Sequence, residues 1–131
     1  MWPFRRSDKP PLGPRGEKIA RRFLRRQGMK ILAENYRSGA AEIDLIALDR
    51  STRGLDGAET ICFVEVKTRS CDTYTDPESA VNAEKQRRIR KAAGHYLAGR
   101  DAEGFNVRYD IVAIVLRDGQ EAEIRHLPGA F

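Results

Sequence analysis

The stretch Ile61-Cys62-Phe63-Val64-Glu65-Val66-Lys67-Thr68-Arg69 opens with four apolar residues and then alternates apolar with charged, which predicts a strand. Side chains alternate across a strand, so Glu65 and Lys67 share one face about 7 Å apart while Val64 and Val66 share the other. An acid and a base thus stand where apolar residues are the default. Taken alone, the pair reads first as an ion pair on a half-exposed strand and only second as a site with chemistry.

The elements around it follow from the same patterning. Residues 1–14 carry Pro3, Pro10, Pro11 and Pro14 among Arg5, Arg6 and Lys9, and read as a basic, disordered arm. Residues 15–27 predict a helix capped by Gly28. Ile19, Ala20, Phe23 and Leu24 fill its apolar arc, and Lys18, Arg21, Arg22, Arg25 and Arg26 fill the opposite one. Glu17 lies at the margin of the apolar arc, directed toward the body of the protein or paired with Arg21 one turn on.

Residues 29–36 and 42–48 predict two strands around a turn at Arg37-Ser38-Gly39, with Glu42 and Asp44 on one face of the second. A turn-rich connection over 50–58 leads into the Glu65 strand, giving an antiparallel meander. After a loop, Asp76-Pro77 reads as a helix start, and Asn82 as the cap of a longer helix reaching Leu97. Lys85 falls inside that helix's apolar arc and Gln86 at its edge, so Lys85 either snorkels to solvent or reaches a bound phosphate. Residues 105–116 predict a strand parallel to the Glu65 strand through a right-handed crossover. Asp118-Gly119 then turns into an edge strand over 121–126. The expected architecture is α/β, in the order α-β-β-β-α-β-β, with a single domain over 15–131.

Charge adds a partner class to this picture. The 131 residues hold 24 Lys+Arg against 19 Asp+Glu, a net +5. Ten of the basic residues fall within 1–30 and five within 85–91, a distribution that suits a polyanion such as nucleic acid. Cys62 and Cys71 form no Cys-x-x-Cys pair and have no neighbouring histidine, which argues against a zinc site. No apolar run approaches the ~20 residues of a membrane span, so the expectation is a soluble, cytoplasmic protein.

Asp44, Glu65 and the inward Glu17 then stand where three elements converge, with Lys67 beside them. Carboxylates brought together repel one another unless a cation sits among them, and Mg²⁺ prefers hard oxygen ligands of this kind. Basic helix faces alongside would neutralise phosphates. Metal-bearing acids near a basic surface describe a nuclease. His95 and His126 read as ordinary surface histidines, and Asp110 as a cap or an arginine partner.

Asp44, twenty intervening residues, and then Glu65-Val66-Lys67 resemble the Asp…(Asp/Glu)-x-Lys signature of the restriction-endonuclease-like superfamily. With Gly16-Glu17, Asn35, Glu42-Ile43-Asp44-Leu45-Ile46-Ala47, Lys85-Gln86 and Arg108-Tyr109-Asp110-Ile111, the chain resembles over about residues 15–126 the bacterial YraN family. That family is similar to archaeal Holliday junction resolvases. Ala41 departs from the family's usual glycine before Glu-Ile-Asp.

The resemblance implies a restriction-endonuclease-like fold in which Asp44 and Glu65, helped by the Val66 carbonyl and Glu17, bind Mg²⁺ or Mn²⁺. It implies that Lys67 orients or activates the attacking water, with Gln86 and Lys85 accessory and Glu42 in support. Arg21, Arg22, Arg25, Arg26, Arg69, Lys85, Arg87 and Arg88 are the expected nucleic-acid contacts. The implied activity is metal-dependent cleavage of DNA phosphodiesters at branched or structured sites. The alternative is a non-catalytic binder of DNA or structured RNA, and the 121–126 edge strand offers a route to a homodimer.

Overall fold

The computed structural model describes residues 12–53, 57–70 and 81–131. Most of the proline-rich arm, Cys71 and the expected helix start at Asp76-Pro77 lie outside them. Helix α1 (Leu12–Arg26) begins three residues before the expected boundary and takes Leu12, Gly13 and Pro14 from the arm. Pro14 falls in its first turn, where the missing N–H has no helical partner to lose. The helix ends as its glycine requires. Gly28 turns at φ 87° while Met29 N–H donates to Leu24 O and Gly28 N–H to Arg25 O, both at 3.0 Å.

Strands β1 (Lys30–Ser38) and β2 (Ala41–Asp49) pair antiparallel around Gly39-Ala40, so Arg37 and Ser38 belong to the strand, not to the turn. β3 (Thr60–Arg69) lies at the centre of the sheet, antiparallel to β2 and parallel to β4 (Asn106–Val115) along its whole length. Helix α2 (Ala83–Ala98), capped by Asn82 Oδ1 on Lys85 N–H at 2.9 Å, is part of the connection between them. β5 (Glu123–Leu127) is an edge strand, two residues shorter at its start than expected. The order is β1-β2-β3-β4-β5, one mixed five-stranded sheet. No helix among the described residues is long and apolar enough to cross a membrane.

The two helices cover opposite faces. Ala20 and Leu24 of α1 pack on Leu45, Ala47, Cys62, Val64 and Val112, while Ile89, Ala92, Ala93 and Tyr96 of α2 pack on Ile46, Ile61, Phe63 and Ile111. Alternation along β3 explains the split: Cys62 and Val64 serve α1, and Ile61 and Phe63 serve α2. Glu65 and Lys67 continue the α2 series, so they emerge where that core ends.

A charged group on β4 is fully buried. Asp110, 0% exposed, accepts from Arg108 Nε and Nη2 at 2.9 and 3.0 Å, from His126 Nε2 at 2.9 Å and from Gly129 N–H at 3.0 Å. Arg108 also reaches Asp49 Oδ2 at 3.0 Å. The arginine partner is as expected for Asp110, but His126 is no ordinary surface histidine: it is half-buried against Asp110 and edge-on to Phe23. Its role depends on a strand pairing that adjacent residues do not encode. His95 is exposed, with Nδ1 against the Ser38 hydroxyl.

Burial alone would raise the Asp110 pKa, but the bonds from His126, Arg108 and Gly129 outweigh it and hold the carboxyl below its ordinary 3.8. Its stabilisation is therefore complete above the unfolded-state value and is lost as pH falls through the lower folded value. Asp110→Asn is expected to cost about 3–5 kcal/mol at pH 7 in urea unfolding. The variant should also lack this contribution to acid destabilisation.

Candidate active site

The site forms where β2 leaves β3. Their paired register ends at Leu45↔Val64, and the next outward amide, Val66 N–H, donates instead to Asp44 Oδ2 at 2.8 Å. This bond replaces a ladder bond and anchors the carboxylate to β3. Glu65, only 7% exposed, accepts from Lys85 Nζ at 2.6 Å, and Lys67 Nζ stands 3.7 Å from the same oxygen. The closer cation is thus Lys85, from α2, not the neighbour two residues along the strand.

Glu17 arrives from the opposite face because α1 crosses β3 in very close contact. A Cβ on Gly16 would lie 1.8 Å from Thr68 Oγ1, so the crossing demands glycine. Asn35 completes the arrangement. It adopts φ 49°, a left-handed conformation that Asn tolerates better than most residues. With its amide nitrogen toward the acids, the orientation the network requires, it donates to Glu17 Oε2 and Glu42 Oε1, each at 3.2 Å. A cleft of about 320 Å³ opens here, lined by Ala40, Ala41, Glu42, Asp44, Glu65, Lys85, Arg88 and Ile89.

The acids are under electrostatic stress. Burial first, then Glu65 and Glu17, push Asp44 up to about 7 against the opposing effects of Val66 N–H and Lys85. Burial also raises Glu17, with Glu42, Glu34 and Glu65 adding to it and Asn35 opposing. Burial and the nearby Lys85 lower Lys67. Lys85 itself is raised, because its bond to Glu65 and its other neighbours overcome its own burial. The arrangement sets a lysine whose pKa is lowered beside one whose pKa is raised, next to two carboxylates that repel. It has the elements needed to accept a proton, hold an anion or take up a cation.

Asp44, Glu65, Lys67 and Lys85 are brought together, with Glu17 within electrostatic reach. Gln86 is turned elsewhere, donating to Val81 O at 3.0 Å and accepting from Arg90 at 3.4 Å. Arg21 pairs with Glu34 and not with Glu17. Arg22, Arg25 and Arg26 are exposed on α1, and Arg87 and Arg88 on α2, so the two basic faces lie on opposite sides of the sheet. Arg69 is exposed at the end of β3, with Nη1 on Thr68 O at 3.2 Å. Of these arginines, Arg88 lines the cleft.

Sequence patterning assigned no role to Asn35 and did not pair Lys85 with Glu65. Asn in a strand is a usable signal for the first, whereas the second depends on where α2 docks. Among the described residues, no three His, Cys, Asp or Glu side chains are grouped so as to hold a metal alone. Asp44 and Glu65 could hold a cation at the cleft only together with other oxygen donors.

The model of uncharacterised protein family UPF0102 matches residues 16–114. A "UPF0102 protein" of Syntrophotalea carbinolica is 46% identical over 120 residues, covering 92% of this chain and 90% of the relative. One from Nocardia farcinica is 41% identical over 124 residues, covering 95% and 91%. One from Myxococcus xanthus is 39% identical over 119 residues, covering 91% and 87%. UPF0102 is the family that the YraN resemblance indicated.

With a folded value of about 7 against an ordinary 3.8, Asp44 keeps in the native state a proton that the unfolded chain has released. Its effect on stability therefore worsens as pH rises from 4 to 7 and then levels off. In EDTA at pH 8, Asp44→Asn is expected to stabilise the protein by on the order of 2–3 kcal/mol and to flatten this decline, as read by thermal unfolding. Gly16→Ala is expected to cost about 1–3 kcal/mol in urea unfolding, since Thr68 must give way.

Proposed function

This chain belongs to uncharacterised protein family UPF0102, and we propose that its cleft is the active site of a divalent-metal-dependent endonuclease hydrolysing DNA phosphodiester bonds at branched or structured sites. The observation that carries this reading is the meeting of half-buried Asp44 and buried Glu65 in one cleft, with Lys85 Nζ 2.6 Å and Lys67 Nζ 3.7 Å from Glu65 Oε1. The likeness to the restriction-endonuclease-like superfamily and to archaeal Holliday junction resolvases supports it, through both the α-β-β-β-α-β order and the Asp44…Glu65-Val66-Lys67 motif.

The residues present fit a hard divalent cation: burial first, and then the neighbouring Glu65 and Glu17, push Asp44 up to about 7, and a cation beside the carboxylate would favour its ionised form against both. Asp44, Glu65 and the Val66 carbonyl would hold Mg²⁺ or Mn²⁺, with Glu17 in support through Asn35. When bound, the ion would polarise the phosphodiester and acidify a water. Lys67, 3.7 Å from Glu65 Oε1, orients the attacking water, and its ammonium offsets charge developing on the phosphate. Arg88 and Lys85 hold the flanking phosphates at the cleft, and Glu42 keeps Asn35 oriented.

One observation favours a second reading. Lys85 already neutralises Glu65, as expected of a scaffold that binds nucleic acid without cutting it. That protein would bind in a salt-dependent, chelator-insensitive way. Incubating purified protein with junction, flap, single-stranded and duplex DNA and with structured RNA separates the two. In Mg²⁺ or Mn²⁺, structured DNA is expected to be nicked, and Asp44→Ala and Lys67→Ala should each slow cleavage by about 10²–10³-fold or more. No cleavage of any substrate, or cleavage that survives both substitutions, overturns the nuclease.

A further inference from the structure

Lys85 enters the cleft from the first turn of α2, its backbone held by Asn82 and its Nζ 2.6 Å from Glu65 Oε1. Glu65 has its backbone fixed in the central strand and its side chain nearly buried, which leaves Lys85 as the more exposed partner of this contact. The carboxylate best placed to receive a divalent cation is therefore already occupied by an ammonium. Two cations at one buried carboxylate oxygen repel strongly, because little water screens them.

Lys85 has an alternative position. Its four-carbon stem is flexible, its side chain is 31% exposed, and Arg88 lies one turn further along on the same side of α2, bordering the same cleft. A lysine leaving Glu65 would point toward the place where a phosphate meets Arg88. From this juxtaposition we propose that Lys85 is a built-in counter-ion that occupies Glu65 until a divalent cation displaces it, and that the freed ammonium then binds a nucleic-acid phosphate. The inference rests on reading the cleft as a metal-dependent nuclease site. Loading of the cation and binding of nucleic acid then strengthen each other, and by linkage each raises the affinity for the other by the same factor.

Calorimetric titration of MgCl₂ and MnCl₂ into the metal-free full-length protein tests this without reference to cleavage. Lys85→Gln is expected to bind both ions about tenfold more tightly than the unsubstituted protein, because the competing charge-assisted bond is gone. A non-cleavable phosphorothioate strand should tighten Mg²⁺ binding in the unsubstituted protein and lose that effect in the variant. Unchanged or weaker ion affinity in Lys85→Gln overturns the counter-ion role while leaving the metal site standing. Absence of Mg²⁺ and Mn²⁺ binding in both proteins overturns the metal reading, and this inference with it.

If the variant does not fold, NMR of the unsubstituted protein decides. The Lys85 ε-CH₂ signal should shift over the same Mg²⁺ concentrations as the Glu65 carboxyl signal. A lysine signal that stays fixed while Glu65 saturates overturns the proposal.

Discussion

The organising constraint in this molecule is the confinement of two like charges, Asp44 and Glu65, at the point where two central strands part. Carboxylates in a protein interior are tolerated only with donors or cations around them, and the surrounding elements supply both. β3 contributes the Val66 amide to Asp44, α2 contributes Lys85 to Glu65, and α1 approaches closely enough at Gly16 to bring Glu17 alongside. Even so, Asp44 remains far above its ordinary pKa. A site left under this stress has more to gain from a ligand than one that is fully neutralised.

Asp110 shows what full neutralisation looks like in the same sheet. It is more deeply buried than Asp44 yet is held below its ordinary pKa, because Arg108, His126 and Gly129 surround it with four hydrogen bonds. The difference lies in donor supply, not in burial. Asp110 ties β4 to β5 and to the C-terminal turn, a structural task that rewards complete satisfaction. Asp44 has one backbone donor and two acidic neighbours, and it is this shortage of donors that the proposed site rests on.

The two-sided packing of the sheet has a consequence for recognition. Because α1 and α2 cover opposite faces, their exposed arginines cannot form one ring around the acids. Among the described residues, Lys85 and Arg88 line the cleft and Lys67 stands beside Glu65, whereas the exposed α1 arginines lie on the other face of the sheet. A nucleic acid seated in the cleft would meet the α2 side first.

Much of this was legible from the chain alone, because its signals are local. Periodicity assigned α1, α2 and the strands, Gly28 and Asn82 marked the helix ends, and the intervening helix implied parallel pairing of β3 with β4. Alternation on β3 separated Val64 from Glu65, and the placing of Asp44 and Glu65 on adjacent strands pointed to a shared site. What the tertiary structure decided were partnerships between residues far apart in sequence. Lys85 pairs with Glu65, Asn35 bridges Glu17 and Glu42, and His126 joins Asp110. Each depends on how a helix docks or how an edge strand registers, and these are settled by packing the whole core. A lysine in an apolar arc has the same local pattern whether it ends in solvent or on a buried carboxylate; only the docked position of α2 sets the 2.6 Å contact.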